Sequence, residues 1–379
     1  MPESKIKGMI KMMRIHTYTV NGLDEYMGCI RDIANRKTAN KNAAKPPILW
    51  FRGVTDYNHT LTPSLLRSET RVKRIISNAD YSSLHYAEDI RTQHYIAKND
   101  HFFKNRPSSR VEWLEVMQHH EMATRVLDWS ESSVHSLIFS VEPFLDNKRY
   151  HSPEREVCVP CVWVLEPGKL NKGIYEWLVE TYNRKPEILE SLLSELQITD
   201  ANKREILSKI FQRNKMSLFN ETKETAHIDY ILNLSVINDE LLRDRSRITA
   251  LLQKGDIINP FHYLLARIYS DGHILENREL PPLAVVQPYH SERIKEQKGV
   301  FTVFPFYEER FCDEKCRSLG INPDAMENNA IAEPCLHKII INKPQKVAYE
   351  LLLNGMGDAW LYPEMPIVVN GIERHEVYS

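Results

Sequence analysis

No run of about 18 apolar residues, the length a bilayer-spanning helix needs, occurs in this chain of 379 residues, so a membrane-embedded protein is not expected. The opening segment MPESKIKGMIKMMRIHTYTV also lacks the continuous apolar stretch of a signal peptide, which makes the cytoplasm the expected location. Cysteine is scarce. Six in this length are too few for a disulfide scaffold, and a reducing compartment would keep them as thiols. Neither sign of charge is in excess: 49 Lys and Arg face 51 Asp and Glu, for a formal net charge of −2. That balance excludes the whole-molecule basic field of a nucleic-acid coat protein and leaves room only for a local basic groove. There is no internal repeat and no low-complexity tract.

What is present is an ordinary globular composition, 42% hydrophobic and 26% charged, in a chain long enough to bury a large core. Cys158 and Cys161 form a C-x-x-C pair, Cys312 and Cys316 a C-x-x-x-C pair, and Cys335 stands two residues before His337. Zinc binding by these pairs is one reading. The stretch CVPCVWVLEP reads better as entry into a buried strand, with cysteine acting as a small hydrophobe, so no metal site is expected.

The apolar periodicity alternates between strand and helix. RIHTYTV predicts a strand and LDEYMGCIRDIANR a helix, followed by a polar link to Pro46-Pro47. ILWFRGVTD predicts a strand closed by Gly53, and residues 68–104 predict helix. A helix over 109–120 is signalled by the capping-box spacing of Ser109 and Glu112. Thr124 to Trp129 reads as a linker, and a further helix starts near Ser130 or Ser132 with the apolar stripe Val134, Leu137, Ile138 and Val141. Residues 173–255, rich in Leu, Glu, Lys and Ile, predict paired amphipathic helices. LAVVQPYHSERIKEQKGVFTVFP restores strand, helix and strand, HKIIINKP predicts one more strand, and a helix with a glycine stop follows. The expected class is α+β, a modest mixed sheet with surrounding helices.

Three polar clusters sit at apolar boundaries. Arg52 ends a strand and Gly53 follows it; a guanidinium there offers a planar fork for phosphate, and the glycine admits a ligand close to the backbone. Gln118, His119, His120, Thr124, Arg125, Asp128, Trp129, Ser130 and Ser132 crowd between two apolar helices, and a helix start attracts anions. Glu296 and Gln297 precede a strand, where α/β sites gather.

ILWFRGVTDYNHTLTPSLLR, EWLEVMQHHEMATRVLDWSESSVHSLIFSV and RIKEQKGVFTVF together resemble the FRG domain family, whose Phe-Arg-Gly stands here as Phe51-Arg52-Gly53. LLLNGMGDAWLYPEM is similar to its closing segment. The resemblance divides the chain into 1–47 (strand, helix and linker), 48–172 (first part of the FRG domain), 173–275 (helical insert) and 276–379 (second part and C-terminal segment). Arg52, Gln118, His119, Thr124, Arg125, Asp128, Trp129, Ser132 and Gln297 fit the family pattern, whereas Glu121 stands where the family usually has glycine.

A fainter similarity is to ADP-ribosyltransferases, and it implies a related core and NAD as the small molecule. Arg52 would hold the dinucleotide, Ser130 with Ser132 would shape the nicotinamide pocket, and Gln297 or Glu296 would stabilise the developing oxocarbenium ion. Taken with the polar clusters, the candidate catalytic residues are Gln297, Glu296, His119 and Asp128, and the candidate ligand contacts are Arg52, Gly53, Gln118, Thr124, Arg125, Trp129, Ser130 and Ser132. The implied activity is ADP-ribosyl transfer or NAD cleavage, with a protein or nucleic-acid acceptor, in a setting such as bacterial stress or phage defence. Two other readings stand beside it. One is metal-dependent nucleic-acid processing or binding through His119, His120, Asp128 and Arg125. The other is a non-catalytic interaction protein whose polar cluster is a buried hydrogen-bond network.

Overall fold

The computed structural model describes residues 15–35, 47–67, 84–103, 106–107, 109–145, 159–194, 198–217, 258–269, 274–275, 280–286, 292–307 and 325–357. The chain opens with β1 (His16–Val20) and α1 (Leu23–Asn35), then β2 (Trp50–Val54), α2 (Leu84–Asn99) and α3 (Arg110–His119). β3 (Val126–Ser130), α4 (Ser133–Leu145) and β4 (Cys161–Leu165) follow. Among the described residues four helices come next: α5 (Pro167–Arg184), α6 (Pro186–Leu192), α7 (Asp200–Ser217) and α8 (Ile258–Tyr269). The last group is β5 (Ile274–Leu275), β6 (Leu283–Val285), α9 (Glu292–Glu296), β7 (Gly299–Val303), β8 (Phe306–Tyr307), β9 (Leu336–Ile341) and α10 (Pro344–Leu353).

Seven strands form one mixed sheet in the order β1-β9-β4-β2-β3-β7-β6, and β5 pairs with β8 separately. β1 and β9 run parallel; the other pairs of the large sheet are antiparallel. The fold is α+β, as the interleaved periodicities imply. The expected segments within 68–83 and 218–257, and the closing segment beyond 357, lie outside the described residues, as do Cys158, Cys312 and Cys316.

One expectation is corrected here. Val126–Ser130, read from sequence as a linker, is a central strand. Its side chains alternate. Leu127 and Trp129 join the cluster that includes Trp50, Trp163 and Val300 on one face, while Val126, Asp128 and Ser130 face the other way. The polar residues at 128 and 130 break the apolar alternation that normally marks a half-buried strand.

On that second face two helical layers meet. α1, α4 and α10 cover β1, β9, β4 and β2 through Val20, Phe51, Val162, Val164, Ile339 and Ile341. α3 and α5–α8 share another cluster with Val126, Phe301 and Val303 of β3 and β7. Each fully buried aliphatic or aromatic side chain contributes roughly 1.5–3 kcal/mol to this packing. The halves join at β2 and β3, where the ladder is reduced to the single pair Phe51–Ser130, against five register pairs between β2 and β4. The sheet is therefore pinched at its centre, below the seam between the two layers. The outer edge of β6 is closed by Asn171, whose side chain donates to Ala284 O at 2.9 Å and accepts from Ala284 N at 3.0 Å.

Candidate functional site

A cavity of about 330 Å³ opens at this pinch. Its sheet wall is formed by Phe51, Arg52, Gly53, Asp128, Ser130 and Phe301. α3 and the turn after it supply Glu115, Gln118, His119 and Glu121; α4 supplies Ser136 and Phe139; α9 and its exit supply Arg293, Ile294 and Gln297. Segments far apart in sequence thus converge on one concave site, at the lower end of the size range of small-molecule pockets.

Arg52 and Asp128 form the charged centre. Arg52 Nη1 donates to the Asp128 backbone O at 2.6 Å and approaches its Oδ2 at 3.4 Å. Because the β2–β3 ladder stops at Phe51, the Asp128 carbonyl takes a guanidinium N–H in place of a ladder partner. Both contacts run through Nη1, so Nε and Nη2 have no partner among the described residues. Oδ1 of Asp128 is buried and unpartnered as well.

Gly53 has a packing role beside its place in the wall. A Cβ there would lie 1.9 Å from Ser136 O, so the glycine admits the backbone of α4 rather than leaving space for a ligand. Ser130 Oγ donates to Gln297 O at 2.6 Å and accepts from Ser132 N at 2.9 Å, while Glu131 N donates to Lys298 O at 3.0 Å. These bonds latch the end of β3 to the turn before β7 and bring Gln297 into the wall.

The described non-glycine residues with left-handed backbone are Glu121 (φ 62°) and Lys298 (φ 49°), one at each of the two turns beside the cavity. Glu121 also accounts for the family's usual glycine, since only glycine occupies that conformation freely.

Several expected site residues lie elsewhere. Arg125 is fully buried; its Nε bonds Glu88 Oε2 at 2.9 Å, its Nη1 donates to Phe304 O, and its guanidinium lies 4.7 Å from the Phe306 ring centre. It holds α2 to β3 and does not border the cavity. Burial alone would push the Glu88 carboxyl up, but Arg125 and Arg110 outweigh it and hold Glu88 below its usual value. Thr124 is buried and donates to Gln118 Oε1 at 2.8 Å, bracing the turn. Trp129 borders the cavity, yet its ring is buried in the opposite-face cluster and its indole N–H donates to Thr302 Oγ1 at 3.0 Å. Ser132 Oγ accepts from His135 N at 3.3 Å and so caps α4. Glu296 is exposed and outside the wall, so of the two late candidates only Gln297 is placed. His119 borders the cavity and His120 does not.

Among the described residues no group of three or more His, Cys, Asp or Glu side chains could hold a metal ion. The donor set required by the metal-dependent reading is thus not assembled by His119, His120 and Asp128. Burial pushes the Cys161 thiol up to about 12, as suits a residue of a buried strand.

Sequence reasoning missed Glu115. It is 2% exposed, in the cavity wall, and its Oε1 has no hydrogen-bond partner. Burial first, then the negative charges of Glu112 and Asp128, push its carboxyl well above the usual range, which favours the protonated form. A signal existed: Glu115 precedes Gln118 and His119 by three and four residues, which places all three on one helix face. Arg293, Phe139 and Phe301 were also missed; each reads in sequence as an ordinary helix or strand residue.

No described helix is long and apolar enough to cross a membrane. No curated protein matches the chain, and no solved structure does. The family model of the FRG domain matches residues 47–149, the span from the approach to β2 to just past α4. That span supplies Arg52, Glu115, Gln118, His119 and Asp128, while Arg293, Gln297 and Phe301 close the cavity from outside it. The chain thus carries an FRG domain at residues 47–149.

Proposed function

We propose that the cavity binds NAD or a related nucleotide and that the chain catalyses ADP-ribosyl transfer or NAD cleavage. The observation that carries this reading is the pairing at the pinch: a guanidinium with two unengaged N–H directions beside a carboxylate in the same concave wall. The guanidinium suits a phosphate, which it can grip in bidentate fashion. The Asp128 carboxylate suits the positive charge that develops on ribose when its bond to nicotinamide breaks. Phe51, Phe139 and Phe301 give the cavity aromatic surface for a flat ring. At about 330 Å³ it suits one end of a dinucleotide, with the remainder lying towards its mouth.

In this reaction the C1′–N bond breaks and its electron pair leaves on nicotinamide, which departs neutral. Water or an acceptor nucleophile of a protein or nucleic acid then bonds to C1′ and releases its proton to Asp128 or solvent. Arg52 keeps the phosphates in place, and Gln297 lines the cavity as a neutral polar group.

The test is nicotinamide release from NAD by the purified chain, with and without RNA, DNA and protein acceptors, beside Arg52→Ala. Release that falls at least about 100-fold in a folded Arg52→Ala variant supports the reading, as expected for removing a charged contact realised in the transition state. A wild type that neither releases nicotinamide nor binds NAD sinks it.

A further inference from the structure

α3 buries a carboxyl group that its surroundings do not satisfy. Glu115 is 2% exposed, its Oε1 meets no hydrogen-bond partner, and the side chain is part of the cavity wall. A buried polar atom left unpaired destabilises a fold by roughly 1–3 kcal/mol, so a partner supplied by a ligand would find it ready. The other charged or titratable groups in the wall are Arg52, His119, Glu121, Asp128 and Arg293, with Glu112 on the same helix. Of these, Arg52 is engaged by Asp128.

Resting on the NAD reading above, we propose that Glu115 recognises the primary carboxamide of the nicotinamide ring. A protonated carboxyl presents one O–H donor beside one acceptor oxygen. A primary carboxamide presents an acceptor oxygen beside an N–H donor, so the two groups close a planar pair of hydrogen bonds. Burial first, then the charges of Glu112 and Asp128, raise this carboxyl and so favour its protonated form there. The same charges reject a carboxylate in the carboxamide's place. The site therefore distinguishes a nicotinamide from a nicotinate ring, as buried polar groups that would otherwise stay unpaired do elsewhere.

The test is calorimetric binding of NAD and of its nicotinic-acid counterpart to the wild type, Glu115→Gln and Glu115→Leu, with the fold of each checked by thermal unfolding. The wild type is expected to prefer the carboxamide by about 10-fold or more, in line with the discrimination available from paired buried polar groups. Glu115→Gln, which keeps one donor and one acceptor, is expected to retain most of that preference. Glu115→Leu is expected to bind NAD about 10-fold more weakly and to lose the preference, the loss set by one unmet hydrogen bond. NAD binding with no preference in the wild type overturns the inference and leaves the NAD reading standing, whatever the variants do. Unchanged affinity and preference in Glu115→Leu overturns it in the same way. A folded wild type that binds neither dinucleotide overturns both.

Discussion

Just before β3, Arg125 is fully buried against Glu88; at its middle, Asp128 meets Arg52 with 18% of the arginine and 48% of the aspartate side chain exposed. The residues lie within four positions of each other, and both pairs are arginine with carboxylate. The first is closed on every side, with its guanidinium spent on Glu88, the Phe304 carbonyl and the Phe306 ring. The second is wet and half engaged, and it faces a cavity. The difference teaches that polar density in a sequence marks two different things: ion pairs that fix elements in place and ion pairs that line an open cavity. Exposure separates them.

Breaking each pair should give opposite signatures, and here the largest effect is expected. Arg125→Ala strands the buried Glu88 carboxylate and should destabilise the fold by about 3–5 kcal/mol, the range for removing one partner of a buried pair. Arg52→Ala should change stability by only about 0–1 kcal/mol, because its pair is partly solvated, while abolishing nicotinamide release. Urea unfolding of both variants, alongside the release assay, checks this. Comparable stability losses would erase the distinction. Acid should weaken the first pair. The Glu88 pKa is lowered in the fold, so its stabilisation is present above the ordinary glutamate value and lost as pH falls through the lowered one.

The seam that frames the cavity is sharpened by Gly53→Ala. The new Cβ would stand 1.9 Å from Ser136 O, a backbone atom that moves only if α4 moves. A loss of about 1–3 kcal/mol is expected, the range for overpacking a tight contact. Thermal unfolding that leaves Tm unchanged would mean that α4 is not held as closely to β2 as described.

Much of the fold was legible in the sequence, for reasons that also explain the misreadings. The flanking strands and helices obey clean periodicities, and Ser109 caps α3 by accepting from Glu112 N as its spacing implies. β3 failed that test because Asp128 and Ser130 occupy the positions where alternation demands apolar groups, and they do so because that face opens on the cavity. Arg125 and Thr124 were read as ligand contacts since sequence reports polarity and not burial. Trp129 borders the cavity as expected of a site residue, yet its ring packs on the other face of the strand that carries Asp128. Glu115 was hidden by its setting between Val111 and Met117, where an acid looks like a stray surface residue.

Glu115 and Glu88 extend the comparison to pH. Glu115's value is raised in the fold, so its contribution is fully present below the ordinary glutamate range and is lost as pH rises towards the raised value: the fold keeps a proton that the unfolded chain releases. Replacing it with a neutral amide removes that dependence. The stability of Glu115→Gln relative to wild type should therefore climb between acidic and neutral pH, whereas Glu88→Gln should fall relative to wild type over the same interval. Parallel unfolding curves for wild type and Glu115→Gln would show that the carboxyl is ionised in the fold.

The smallest effect is expected at the turn after α3. Glu121 holds φ at 62°, where a Cβ crowds the following carbonyl, a strain of roughly 1–2 kcal/mol for a residue other than glycine. The turn keeps its shape regardless, because Glu121 N donates to Gln118 O at 3.0 Å and Met122 N to Met117 O at 2.9 Å. Glu121→Gly relieves the strain but also frees the unfolded chain, so a net gain of about 0.5–1 kcal/mol is expected in urea unfolding. The same substitution removes a carboxylate from the cavity wall. If the wall is a site and the strain a by-product of holding that carboxylate there, the more stable Glu121→Gly variant should bind NAD differently from wild type. If it gains stability with binding unchanged, the carboxylate has no part in the ligand's contacts, and the open end of β3 rests on Arg52, Asp128 and Glu115 alone.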